Sequence, residues 1–224
     1  MEFQLFHTTL SASLLLFIMA GGFLAGFVDS IAGGGGLISL PVLLAAGLPP
    51  HLAIGTNKFS ATFGAVMSAW QFWRAGKVDM GLLKRILPGT FVGAVSTYSG
   101  NTRGNVLAAL VMALAIGFYD GFIGPGTGTF LIVGFATFGF DFVTAAGNAK
   151  ILNLMSNVTS FVLLIWWGQI LYVYGIAMAV CIFTGAFFGS RLAIRRGTGF
   201  VRLVMLAVTI VLIGKLGLSY FGIM

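Results

Sequence analysis

Apolar residues run through this chain in long blocks, near positions 10–28, 86–98, 105–119, 158–167, 170–190 and 203–224, with only short polar breaks between them. Several blocks approach the roughly 17–25 residues that a helix needs to cross hydrocarbon. Charge is correspondingly scarce: 8% of residues are charged, against about 25% in soluble domains, and mean hydropathy is +1.05. The class that fits is an all-α polytopic transmembrane helical bundle, residues 1–224 forming a single membrane domain. Residues 1–7 lack a basic leader region, so the first block is expected to be a retained span. The net charge of +7 belongs to short loops, where Lys and Arg orient spans. It forms no basic stripe with interleaved aromatics, which argues against nucleic acid.

Two of the blocks are interrupted in the same unusual way. The first runs Gly26-Phe27-Val28-Asp29-Ser30-Ile31-Ala32-Gly33-Gly34-Gly35-Gly36. Ninety-one residues after Gly26 comes Gly117-Phe118-Tyr119-Asp120-Gly121-Phe122-Ile123-Gly124-Pro125-Gly126-Thr127-Gly128. A carboxylate among apolar residues is costly, and clustered glycines melt a helix. Each break leads into a short apolar piece, residues 37–48 and 129–138. At about 12 residues, or ~18 Å as a helix, the first is too short to cross alone and reads as a half-helix or re-entrant element. Gly55-Thr56-Asn57-Lys58 is then matched by Gly147-Asn148-Ala149-Lys150, Gly76 by Gly168 and Gly93 by Gly185, all at an offset of 92. A run of matches at one offset marks a duplication, with repeat one at 10–98 and repeat two at 106–222. Basic residues follow the third apolar piece in repeat one (Arg74, Lys77, Lys84, Arg85), but fall one loop later in repeat two (Arg191, Arg195, Arg196, Arg202). That alternation is what inverted topology predicts. Repeat two also ends in a further block that repeat one does not match, so a span is missing near residue 99 or one short piece does not cross.

The residues that could carry function are paired by the same duplication. Asp29 and Asp120 either couple or gate an ion path, or cap the half-helix that follows. Gly33, Gly34, Gly35 and Gly36, with Gly124, Gly126 and Thr127, would aim backbone N–H groups and a positive dipole end at an anion. The alternative use of glycine is close helix packing, as at Gly22/Gly26 and Gly185/Gly189. Lys58 and Lys150 either snorkel to headgroups or meet substrate. Lys150, Asn153 and Asn157 share a helical face by spacing, and Asn57 and Asn148 precede the lysines; all are candidates for substrate binding. Trp70, Trp73, Trp166, Trp167, Tyr172 and Tyr174 read as an interfacial belt. No metal-ligand spacing surrounds His7 or His51, Cys181 is alone, and no hydrolase or nucleotide-binding signature occurs. The expectation is no enzyme, no cofactor and no metal.

The Asp29 break with Thr56-Asn57-Lys58, and the Asp120 break with Ala149-Lys150, resemble the TauE/SafE family of sulfite-exporter and sulfonate-uptake permeases, over residues 11–215. The resemblance implies a multi-pass permease of the bacterial inner (plasma) membrane moving a small anion such as sulfite, a sulfonate or a related organosulfur compound. It also implies that family members are usually longer, with an extra span between the segments ending here near Tyr98 and beginning near Val106. The expected partners are a small anionic substrate and the lipid bilayer, with homo-oligomerisation left open and nucleic acid excluded. In the mechanism expected here, the anion lies between the half-helix N-termini, Lys58 and Lys150 neutralise it, and Asp29 or Asp120 couples protons or holds the gate. The alternative is a non-transporting membrane subunit or remnant that packs against a partner.

Overall fold

The computed structural model describes residues 12–92, 126–166 and 168–220, and every regular element among them is a helix. In order these are α1 (Ala12–Ala32), α2 (Gly36–Ala45), α3 (Pro50–Arg74), α4 (Met80–Val92), α5 (Thr127–Thr137), α6 (Phe142–Trp166) and α7 (Tyr172–Tyr220). The sequence block 105–119, Asp120 and Gly124 lie outside the described residues. α1 and the Tyr172–Val211 part of α7 are long and apolar enough to cross a bilayer. α7 is two helices joined across a kink at Gly197, with φ 75° and ψ −166°. α2 and α5, at 10 and 11 residues, are about 15–17 Å long, the half-length pieces expected after each break.

The sequence offset of 92 reappears in the elements. α3 and α6 are both 25 residues and begin 92 apart, at Pro50 and Phe142; α4 and α7 begin 92 apart, at Met80 and Tyr172. Glycines in the left-handed region fall at the same spacing in the turns between them: Gly34 and Gly126, Gly47 and Gly139, Gly76 and Gly168. Contacts between the halves are exchanged in the same register. The start of α3 abuts the end of α6, where a Cβ on Gly55 would sit 1.8 Å from the Gln169 carbonyl oxygen. The start of α6 abuts the end of α3, where a Cβ on Gly147 would sit 1.8 Å from the Lys77 carbonyl oxygen. One residue further on, Thr56 Oγ1 accepts the Leu171 N–H at 3.0 Å and Asn148 Oδ1 accepts the Asp79 N–H at 2.8 Å. Equivalent helices α3 and α6 therefore run antiparallel, each end pinned by the other half's loop.

Two apolar clusters fix the ends of the half-helices. Leu43 of α2 packs with Ile18, Ala53, Tyr174 and Met178, whereas Ile132 and Phe135 of α5 pack with Phe72, Leu83 and Val143. α2 and α5 thus leave the middle of the bundle toward opposite ends. Tyr174 is a core residue of the first cluster, 4% exposed, and not part of an interfacial belt; Trp70, Trp73 and Tyr172 are exposed. α1 seats against α7 through small residues: a Cβ on Gly26 would strike the Ile182 backbone, and one on Gly185 the Phe23 carbonyl.

The polarity of the bundle is the reverse of a soluble protein's. Lys58, Lys150, Asn57, Asn148, Asn153, Asn157 and several hydroxyl residues are buried, while Leu16, Leu24, Ile176, Val180, Leu203 and Ile210 are at least half exposed. Apolar surface of that extent is stable against hydrocarbon and is rarely left facing water.

Candidate functional site

Where the two breaks meet, backbone touches backbone. Gly33, at φ 76°, lies so close to Gly128 that an added Cβ would be 2.3 Å from the Gly128 carbonyl carbon. Thr129 Oγ1 donates to the Ala32 carbonyl at 3.0 Å and ties the second break to the end of α1. Only glycine tolerates both the conformation and the approach. The first turns of α2 and α5 are thereby set beside one another, and the partial positive charge of each helix N-terminus falls in one place.

A cavity of about 40 Å³ opens there, enough for about three waters. Its polar wall is Asp29, Ser39, Asn57, Lys58, Asn153 and Asn157, with the backbone of Gly34, Gly35, Gly36, Thr127 and Gly128; Ala25, Gly26, Ala61 and Ile182 close the rest. Asn153 is 6% exposed, and its Oδ1 is buried without a hydrogen-bond partner among the described residues. Ser39 Oγ lies 2.5 Å from Asn57 Oδ1 and 3.0 Å from the Gly35 carbonyl oxygen, two acceptors competing for one hydroxyl proton.

Asp29 does two jobs at the cavity edge. Its Oδ1 accepts the Gly35 N–H at 3.0 Å, capping the start of α2. Its Oδ2 accepts from Lys150 Nζ at 2.7 Å across 121 residues of sequence. The Lys150 side chain is fully buried, whereas Asp29 keeps 29% exposure toward the cavity. Burying an ammonium is expensive unless a charge-assisted hydrogen bond compensates it, and Asp29 supplies that bond. Lys150 therefore stands behind Asp29 and not on the cavity wall, and Lys58 is the cation that lines it.

Of the residues singled out from sequence, Asp29, Gly34, Gly35, Gly36, Asn57, Lys58, Thr127, Asn153 and Asn157 line this one cavity. Gly33 and Gly126 shape its backbone. Asn148 is elsewhere: it is fully buried at the end of α3, accepting from the Asp79 backbone. Its equivalent at an offset of 92 is Thr56, which holds the Leu171 backbone in the same manner, so the pair fastens loops. Gly128, from the second glycine-rich break, lines the cavity as well, whereas Ser39 was not foreseen. Ser39 sits in an apolar half-helix, and only its alignment with Asn57 reveals it.

Two half-helices starting at a buried polar cavity, inside a bundle with apolar outer faces, suit a membrane transport protein. The family profile described as sulfite exporter TauE/SafE matches residues 18–99 and 96–216, and the chain belongs to that family. It is 35% identical to a Sinorhizobium protein described as probable membrane transporter protein ORF9, over 91% of this chain and 92% of the other. It is 32% identical to a Haemophilus influenzae probable membrane transporter protein, over 91% and 94%. With the Escherichia coli K12 probable membrane transporter protein YfcA the identity is 34%, over 90% and 88%. No solved structure matches the chain. The first of these alignments spans 240 positions while using 91% of this chain, so about three dozen positions have no residue here. That is the length of one span with its loop, and the family profile matches in two pieces that overlap at 96–99.

Proposed function

We propose that this protein is a multi-pass permease of the bacterial inner membrane that moves a small anion, of the sulfite or sulfonate class, by alternating access between two inverted repeats. The observation that carries this reading is the cavity at which two oppositely directed half-helices begin side by side. Two helix N-termini, Lys58 and the amides of Asn57, Asn153 and Asn157 favour negative charge there. The one carboxylate on the wall, Asp29, is offset by Lys150, so it does not cancel that field. The antiparallel pairing of α3 with α6 supports the inverted arrangement, and broken helices at a repeat interface are a recurrent substrate-site plan in secondary transporters.

Protonation of Asp29 would end its attraction for Lys150 and leave a buried ammonium uncompensated beside the cavity. An anion would then bind more strongly, so proton and anion would move together. Asp120, the sequence equivalent of Asp29, is assigned the same coupling or gating role, and Gly124 and Gly126 the same backbone role as the first glycine cluster.

The test is thermal unfolding of the detergent-purified protein against sulfite, sulfate, thiosulfate, taurine and sulfoacetate, with chloride as control. A ligand at 100 times its Kd stabilises by about 2.7 kcal/mol. One sulfur anion is expected to raise the midpoint selectively, with the effect absent in Lys58→Gln and Lys150→Ala and kept in Arg196→Ala. A well-folded sample indifferent to every sulfur anion would instead favour the non-transporting subunit.

A further inference from the structure

Three arginines that line one groove of the described surface play no part in the cavity. Where α3 ends, Trp70, Gln71 and Arg74 face Phe187, Arg191 and Arg195 of α7 across a groove of about 330 Å³. It shares no lining residue with the cavity at the helix breaks. All three guanidinium groups are exposed, and no acidic residue lines the groove. Two of them are held in place by aromatic faces: Arg74 lies 4.9 Å from the centre of the Trp70 ring and Arg191 5.8 Å from that of Phe187. Gln71 Nε2 donates to the Phe187 carbonyl at 2.9 Å and locks the two helices together at the groove floor.

The surroundings decide which anion fits. α3 and the first arm of α7 run parallel, since Ser60 Oγ donates to the Gly175 carbonyl near one end and Gln71 reaches Phe187 near the other. On α3 the exposed Phe63, Val66 and Trp70 form one helical stripe; on α7 Ile176, Val180 and Phe183 form another. The spacings of three and four residues bring both stripes to the same groove, one leading to Arg74 and the other through Phe187 to Arg191. Apolar tracks ending in a basic, aromatic-lined groove match the amphiphilic shape of a phospholipid, with acyl chains along the tracks and phosphodiester at the guanidinium fork. A free phosphate would use the groove and leave the tracks unexplained.

We infer that the groove formed by Trp70, Arg74, Phe187, Arg191 and Arg195 is a binding site for an anionic phospholipid headgroup. Bidentate pairing suits Arg over Lys at a phosphodiester, and the clustering of Arg on one end places the headgroup on the cytoplasmic leaflet.

Native mass spectrometry of the full chain released from detergent tests this, with phosphatidylglycerol or phosphatidylcholine added, and with inorganic phosphate as a soluble competitor. Phosphatidylglycerol should be retained at least tenfold better than phosphatidylcholine. Retention should fall about tenfold in each of Arg74→Gln, Arg191→Gln and Arg195→Gln, less in Arg191→Lys, and not at all in the control Arg202→Gln. Unfolding midpoints in lipid-free detergent should stay at the wild-type value, since the altered groups are exposed. Equal retention of the two lipids, an equal loss in Arg202→Gln, or full displacement by inorganic phosphate at matched concentration would each overturn the inference.

Discussion

The ion pair between Asp29 and Lys150 makes a prediction whose size depends on which partner is removed. Asp29→Asn leaves the Lys150 ammonium wholly buried with no anion beside it. Removing one member of a buried pair costs about 3–5 kcal/mol, and the full range applies because Lys150 has no route to solvent. Lys150→Met leaves a carboxylate that is 29% exposed and still accepts the Gly35 N–H. Its cost should be lower, about 1–3 kcal/mol. The double variant removes both charges and keeps the volume filled, so it should be more stable than Asp29→Asn alone. The cycle therefore predicts a coupling energy of about 2–4 kcal/mol.

Unfolding by titration of sodium dodecyl sulfate into mixed micelles, with helix content as the readout, would measure all four proteins. In thermal terms Asp29→Asn should lower the midpoint by about 10 °C, taking about 2–4 °C per kcal/mol for a chain of this size. Additive single effects, or an Asp29→Asn variant no less stable than Lys150→Met, would refute the claim that Asp29 neutralises the buried lysine. The assignment of the cavity's electrostatics would fall with it.

Other consequences can be checked with the same assay. Gly33→Ala should lose roughly 3–5 kcal/mol, because its φ is 76° and its Cβ would meet the Gly128 backbone, while Gly47→Ala, at φ 87° but with nothing within 4 Å, should lose only about 1–2 kcal/mol. Ser39→Ala should cost about 1 kcal/mol by leaving Asn57 Oδ1 without its donor, and it should weaken any anion-dependent midpoint shift, since both residues line the cavity. At the start of α6, burial pulls the Asp141 pKa upward, but hydrogen bonds from the Thr144 side chain and from the Thr144 and Val143 backbone, with the charge of Lys77, outweigh it and leave the carboxyl below its ordinary 3.8. A folded-state pKa below the unfolded one stabilises above the unfolded value and ceases to do so as pH falls through the folded one; Asp141→Asn should therefore lower the midpoint at pH 7 and differ less from wild type as the medium is acidified below about pH 4.

Much of this architecture is legible in the sequence because the offset of 92 writes many constraints twice. The offset that aligns Gly76 with Gly168 also predicts where α3 and α6 begin, and the two short pieces after the glycine clusters are half-helices as their lengths require. Spacing on α6 correctly gathers Asn153 and Asn157 on one face. Partnership across that face is another matter. Lys150 lies on the same stripe yet turns to Asp29, 121 residues away, and no local pattern encodes that distance. The register does hold one signal that residue type obscures. At an offset of 92, Asn148 aligns with Thr56 and Asn57 with Ala149, so the two asparagines beside the lysines are not equivalents. Reading by register separates a loop fastener from a cavity residue; reading by amide chemistry merges them. Ser39 was hidden for a different reason: it is the one polar side chain in an apolar helix, and its role depends on the helix packed opposite.

The exchanged contacts at Gly55 and Gly147 allow a sharper test of whether the two halves do the same physical work. Each glycine would place a Cβ 1.8 Å from a carbonyl oxygen of the other half's loop, Gln169 in one case and Lys77 in the other, with a side-chain Cβ at 3.3 Å in both. Backbone cannot yield as a flexible side chain does, so the loop must move away or the helix must shift. Either response removes the neighbouring hydrogen bond, from Leu171 to Thr56 or from Asp79 to Asn148. Overpacking and the lost hydrogen bond together cost about 2–4 kcal/mol. Because the geometries match, Gly55→Ala and Gly147→Ala should be destabilised by amounts agreeing within about 1 kcal/mol. The sites lie at opposite ends of helices about 37 Å long, too far apart to couple, so the double variant should show the sum of the two. Limited proteolysis should then open the 168–171 turn only in Gly55→Ala and the 75–79 turn only in Gly147→Ala. A large loss in one variant with none in the other would mean that the halves share a sequence register without sharing a closure, and alternating access through equivalent ends would lose its structural basis.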